Sequence, residues 1–172
     1  IGLDVKKVRD TGNPGNDLAE RIHMAYDCLN QYDFIHVHTK TPDEAAHEKN
    51  PLAKKSVIES LDKGIGKVIQ PLLEDPELLV IVTADHSTPS SGPLIHSGES
   101  VPILFHGGGV RRDRVRQFDE ISAASGALGT LRGNELIYMV LNHLNRSKLH
   151  GIMDTPVDQA YWPGKYNSLK LE

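Results

Sequence analysis

Apolar residues first recur at helical spacing at Leu18, Ile22, Ala25 and Leu29. This predicts an amphipathic helix capped by Asn16 and running to about Asn30. A short run rich in β-formers, Phe34 to Thr39, predicts a strand that Thr41-Pro42 ends in a loop. A longer helical pattern follows from Pro51 to Leu73, with Ile58, Leu61, Ile65 and Ile69 facing inward and Pro71 and Pro76 closing it. Leu78 to Thr83 is a continuous apolar run, the pattern of a strand covered on both faces, and it ends at Ala84-Asp85-His86. Pro102 to His106 predicts another strand, leading into Gly107-Gly108-Gly109, and Asn134 to Leu144 is again amphipathic and helical. The alternation predicts an α/β layered fold with a largely parallel sheet flanked by helices. Residues 150–172 carry Pro156, Tyr161, Trp162, Pro163 and Tyr166 without a regular period. They read as a tail that is packed on the domain or poorly ordered.

A chain of 172 residues is long enough for one domain with its own core. Cys28, the single cysteine, excludes an internal disulfide framework and fits a reducing compartment, so a cytoplasmic protein is expected. No apolar run approaches the length of a membrane span, and the first residues lack the pattern of a signal peptide. A net charge of −4 without a broad basic face gives no footprint for nucleic acid. Arg111, Arg112, Arg114 and Arg116 are interrupted by Asp113 and read as a solvated loop; a substrate-phosphate site is the alternative. The chain starts at Ile1 without methionine, which suggests missing upstream sequence.

Six of the nine histidines, His36, His38, His47, His86, His96 and His106, fall in the middle of the chain. Asp43 and His47 stand four residues apart, so one helical turn would aim carboxylate and imidazole at the same point and suit a shared metal. A solvent-exposed pair at a helix start is the plainer alternative. Asp85 and His86 leave an apolar strand together, and burial there would demand partners that a metal would supply. His96 adds another candidate ligand in a Gly/Ser/Pro-rich loop. Oxygen and nitrogen donors together favour Mn²⁺ or Zn²⁺, whereas Mg²⁺ prefers all-oxygen surroundings. His36 and His38 alternate on one strand face and read as core or supporting positions. Lys40, beside Asp43, either holds a substrate carboxylate or phosphate or is an ordinary surface lysine.

The segments DEAAH at 43–47, ADHSTP at 84–89 and HSGESVPI at 96–103 resemble, in order and spacing, the archaeal-type cofactor-independent phosphoglycerate mutases of the alkaline phosphatase superfamily. FDEISAASGALGTLRGNEL at 118–136 looks like the closing segment of the same family, and the likeness extends from about Gly15 to Leu144. The resemblance implies an alkaline phosphatase-like fold that is incomplete at its N-terminal side. Residues 1–149 would be the C-terminal part of the metal-binding domain and residues 150–172 its tail. It implies two divalent metal ions, Mn or Zn, with Mg and Co as further options. Asp43, His47 and His96 would ligate one, and Asp85 with His86 would contribute to the second. The activity implied is interconversion of 3-phosphoglycerate and 2-phosphoglycerate through a phosphoserine intermediate. The family's serine nucleophile and N-terminal aspartate find no match upstream of Asp43, so this chain alone is expected to bind metal weakly and to be inactive.

Two departures from the family pattern stand out: Ala46 where glycine is usual before the motif histidine, and Ser90 where cysteine is common. Neither removes a ligand, and both leave open a sister phosphatase or phosphotransferase. A reading of a different class is a non-catalytic metal-binding or interaction module. Nucleotide binding fails because Gly107-Gly108-Gly109 matches neither dinucleotide nor P-loop spacing. An incomplete sheet would expose an edge, and a homo-oligomer formed through that edge is a further expectation.

Overall fold

The sequence Asn13-Pro14 starts the first helix, because an Asn side chain can accept an orphan amide and proline is pre-set for the first helical position. In the computed structural model, which describes residues 3–144, 146, 148–149 and 152–153, helix α1 spans Pro14–Asp27 and Asn13 accepts the Asn16 amide at 3.1 Å. The cap is therefore Asn13 rather than Asn16, and the helix ends three residues before Asn30. Asp17, only 3% exposed, takes the Thr11 hydroxyl at 2.6 Å and the Thr11 amide at 3.0 Å, pinning the incoming chain to the first turn. These donors hold the Asp17 carboxyl below the usual carboxylate range, the Thr11 hydroxyl most strongly.

The chain divides into two compact units, residues 1–107 and 108–172. The first holds α1, helix α2 at Thr41–His47, helix α3 at Pro51–Glu74 and strands β1 at Val80–Thr83 and β2 at Ile103–His106. Asn50 caps α3 by accepting the Leu52 and Ala53 amides, again with proline at the first position. Pro71 sits inside α3 rather than ending it, and the helix stops three residues later at Glu74. A missing proline amide costs one intrahelical bond, which a helix near its end can lose without breaking there.

Helices α1 and α3 cross through glycine. A Cβ at Gly64 would lie 2.6 Å from the Gly15 carbonyl carbon and closer still to its oxygen, while one at Gly15 would lie 2.9 Å from the Ser60 carbonyl carbon. Only hydrogen at both positions lets the backbones approach this closely, and the Gly15 amide then donates to the Ser60 hydroxyl at 3.1 Å. Leu18, Ala19 and Leu61 are buried beside the crossing. Ile58, expected to face inward, is 48% exposed, because the buried face of α3 runs through Leu61 and Gly64 instead.

Strands β1 and β2 pair antiparallel, from Val80 opposite His106 to Thr83 opposite Ile103. The expected parallel sheet is not what the described residues form. A parallel pair needs a crossover, usually a helix, whereas residues 84–102 double back without one. The strand residues are largely half-buried, with Phe105 the buried member, so the apolar run is not covered on both faces. Residues 34–39, expected as a strand, keep the alternation: Ile35 and Val37 are half-buried while Phe34, His36 and His38 are exposed. They form no ladder, because among the described residues no strand lies beside them to supply hydrogen bonds.

The second unit holds helix α4 at Glu120–Ala123, helix α5 at Leu136–His143 and the antiparallel pair β3 at Lys148–Leu149 and β4 at Ile152–Met153. Asp113 organises its loop, accepting the Val115 and Ala127 amides at 2.9 Å each. Asp119 caps α4 through the Ser122 amide and hydroxyl, both at 2.8 Å. Arg111, Arg112, Arg114 and Arg116 are exposed on loop, as the solvated reading expects. Apart from Ile152 and Met153, the expected tail at 150–172 lies outside the described residues. No helix among the described residues is long and apolar enough to cross a membrane.

Candidate metal centre

Proline at the start of Thr41–His47 favours a helical turn, and Ala45 and Ala46, both buried, press that turn onto α3. Asp43 is half-buried and His47 exposed on the same turn. Their i,i+4 spacing brings His47 Nε2 to 3.2 Å from Asp43 Oδ1. His96 arrives from the loop between β1 and β2, its Nε2 3.6 Å from the same oxygen and its ring 5.3 Å from that of His47. One donor atom from each of Asp43, His47 and His96 lies within 4.8 Å of the others.

Thr88 completes the arrangement and was not singled out by the sequence. It is 4% exposed and donates its hydroxyl to Asp43 Oδ1 at 2.7 Å, with His86 Nδ1 3.2 Å from the same hydroxyl. That hydroxyl is the main reason the Asp43 carboxyl stays below its ordinary range; nearby His47, His96 and His86 act in the same direction and partial burial opposes them. A buried hydroxyl that orients a carboxylate has no spacing signature, and only its place inside the ADHSTP segment marked it.

His86 stacks on His96, with centroids 4.1 Å apart and an interplanar angle of 26°. Asp85 points outward, its side chain 73% exposed; Oδ1 takes the His86 amide at 3.0 Å and Oδ2 lies 3.4 Å from His86 Nε2. The expectation that a strand end would bury both groups does not hold, since Asp85 is exposed and His86 only half-buried. Asp85 and His86 are thus beside the Asp43, His47 and His96 set rather than within it. Lys40 is exposed at the N-cap of α2, where its carbonyl accepts the Glu44 amide at 3.1 Å and its side chain makes no cap. His36 and His38 lie outside the set, with their rings 5.9 Å apart.

The donor set suits a divalent ion. Ligand bonds of about 2.0–2.2 Å place the donors of a tetrahedral site about 3.4 Å apart. The two imidazole-to-carboxylate separations, 3.2 and 3.6 Å, straddle that figure. A carboxylate kept ionised beside two imidazole nitrogens is a ready donor set.

The family profile described as metalloenzyme superfamily matches residues 6–143. The chain belongs to the metalloenzyme superfamily. This metalloenzyme chain is 51% identical over 152 residues to 2,3-bisphosphoglycerate-independent phosphoglycerate mutase 2 of Methanocaldococcus jannaschii, covering 88% of the chain and 32% of that protein. It is 37% identical over 153 residues to the 2,3-bisphosphoglycerate-independent phosphoglycerate mutase of Pyrococcus furiosus, covering 88% of the chain and 36% of the relative. Among solved structures, the PH0037 protein from Pyrococcus horikoshii matches with a TM-score of 0.69 and 35% identity over 80% of the chain and 40% of its own length. The metalloenzyme chain thus spans about a third of the length of the curated relatives it matches.

Proposed function

We propose that this chain supplies metal ligands to a two-metal phosphoryl-transfer site, in a protein that interconverts 3-phosphoglycerate and 2-phosphoglycerate. The observation that carries the reading is the convergence of Asp43, His47 and His96 on one point, with Thr88 holding the carboxylate in its ionised form. In this reading those three residues hold one ion, Mn²⁺ or Zn²⁺, and Asp85 and His86 contribute to a second. Residues 1–149 then act as the C-terminal part of an alkaline phosphatase-like metal-binding domain. A bound divalent pair supplies charge neutralisation for the phosphoryl group and activation of a hydroxyl nucleophile. The chain's own part is to orient the donors: α2 fixes Asp43 and His47, the loop brings His96, and exposed Lys40 is available for a substrate carboxylate or phosphate. The names carried by the relatives support the mutase reading; a cytoplasmic, glycolytic setting is part of the same proposal.

Isothermal titration of the metal-free chain with Zn²⁺ or Mn²⁺ tests the proposal. Saturable binding that disappears in Asp43→Asn, His47→Ala and His96→Ala supports it. Binding indifferent to all three substitutions sinks it. Mutase activity is then measured on a protein of the relatives' full length, with and without chelator. A chelated protein that keeps full activity would remove the metal from the mechanism.

A further inference from the structure

The loop that brings His86, Thr88 and His96 to the site has no regular structure over most of its length, so its backbone carbonyls need donors from elsewhere. Two lysine ammonium groups supply them. Lys49 follows the end of α2 and has φ 56°, the one non-glycine residue among those described with a left-handed backbone. Such a position usually belongs to glycine, so a long cationic side chain there stands out. Its Nζ donates to the Pro89 carbonyl at 2.9 Å and to the Leu94 carbonyl. Lys54, in the first turns of α3, donates to the Thr88 carbonyl at 2.7 Å. At the base of the loop the Ser97 amide donates to the Ser87 carbonyl at 3.2 Å, closing residues 87–97 into a ring of backbone.

We propose that Lys49 and Lys54 are positioning residues for the metal ligands: together they clasp the 87–97 loop onto the α2–α3 corner and set where His96 and Thr88 stand relative to Asp43 and His47. The inference rests on the reading of Asp43, His47 and His96 as ligands. The residue distribution explains how the clasp works. Asp43 and His47 share one rigid turn, so their separation is set within α2. His96 belongs to a different element, and its distance from that turn depends on what fixes the loop. The clasp takes three carbonyls, of Thr88, Pro89 and Leu94, and it springs from Lys49, two residues beyond His47, and from α3, on which α2 packs. Both lysines are engaged with backbone oxygens and point their charge at the loop, so neither needs a substrate to explain its place.

The test uses the full chain and Zn²⁺ alone, titrated calorimetrically into the unmodified protein, Lys49→Met, Lys54→Met, the double Met variant and the double Arg variant, with His96→Ala as the ligand control. Methionine keeps the length of the stem and removes the donors, whereas a guanidinium can still donate to carbonyls. Loss of groups that orient metal ligands typically weakens binding about 10–100-fold, the effect expected for the double Met variant, with a smaller loss in each single variant and recovery in the double Arg variant. Melting temperatures of the metal-free proteins separate positioning from general stability, and those of the single variants should stay close to that of the unmodified chain. Should the double Met variant not fold, the single variants and their Arg counterparts decide. If the unmodified chain binds Zn²⁺ and the folded Met variants bind equally tightly, the clasp is wrong while the metal site stands. If the unmodified chain does not bind Zn²⁺ at all, the ligand reading falls and the clasp falls with it.

Discussion

Gly64 and Gly66 lie two residues apart in α3 and look alike in the sequence, yet alanine should have opposite effects at the two positions. At Gly66 nothing lies within 4 Å of the added Cβ. Alanine there gains helix propensity, about 0.5–1 kcal/mol, with no packing cost. At Gly64 the new Cβ would stand 2.6 Å from the Gly15 carbonyl carbon, closer than real Cβ contacts allow, and the obstacle is backbone that cannot swing aside. Helices α1 and α3 must then move apart. Overpacking of this kind costs about 1–3 kcal/mol. The Gly15 amide to Ser60 hydroxyl bond at 3.1 Å is stretched or lost as well, costing about 1 kcal/mol more. Setting the propensity gain of about 1 kcal/mol against these leaves a net loss of about 1–3 kcal/mol. For a unit of this size, that is a fall of roughly 5–15 °C in melting temperature. Thermal melts followed by circular dichroism, with Gly66→Ala as the control, give the answer directly. Equal melting temperatures for Gly64→Ala and Gly66→Ala would refute the glycine-mediated crossing.

Two further outcomes follow from the carboxylates. Thr88→Val removes the hydroxyl that chiefly holds Asp43 ionised, so the Asp43 carboxyl should rise toward its ordinary range. Because a ligand carboxylate must be deprotonated, Zn²⁺ binding should then fail at a higher pH during acidification than in the unmodified chain; an unchanged acid edge would contradict this, and the lost bond should also cost about 1–2 kcal/mol of stability. In the second unit, the Asp113 carboxyl is held low by the Ala127 and Val115 amides and Asp119 by the Ser122 amide and hydroxyl, so both have folded values below the ordinary 3.8. Their contribution to stability is therefore complete above that value and is lost as pH falls through the depressed folded values. Amide exchange at Val115 and Ala127 should accelerate in that acid window and, in Asp113→Ala, already at neutral pH; protection that survives the substitution would remove Asp113 from its organising role.

Helices were the most legible part of the fold, since the 3.6-residue period and the Asn-Pro pairs at 13–14 and 50–51 are local properties. The misplacement of the first cap at Asn16 came from weighing an asparagine without the proline beside Asn13. Strand pairing was less legible for a physical reason: alternation says which side chains share a face, but direction and ladder depend on a partner elsewhere in the chain. Hence residues 34–39 formed no ladder, His36 and His38, expected at core or supporting positions, are exposed while Ile35 and Val37 are half-buried, and β1 met β2 antiparallel. At the candidate site, spacing pointed Asp43 and His47 at one place without excluding a plain exposed pair, whereas His96 was tied to them through the family resemblance. Thr88, Lys49 and Lys54 could not be read from spacing, because their partners lie 34 to 45 residues away in sequence.

The same distinction bears on Ala46, where the family resemblance implies glycine. A helix of seven residues such as α2 is not stable by itself in water, so Asp43 and His47 keep their relative geometry only through what holds that turn in place. Ala46 is fully buried, three residues on from Asp43 and beside His47 in the same turn. Its methyl adds helix propensity over glycine and apolar burial, and it carries no polar atom to compete with Asp43 or His47. The departure therefore acts on the support of the turn and leaves the donors as they are. In the proposed site, Asp43 and His47 depend on a helix anchored by two buried alanines, and His96 on a loop fastened by two lysines.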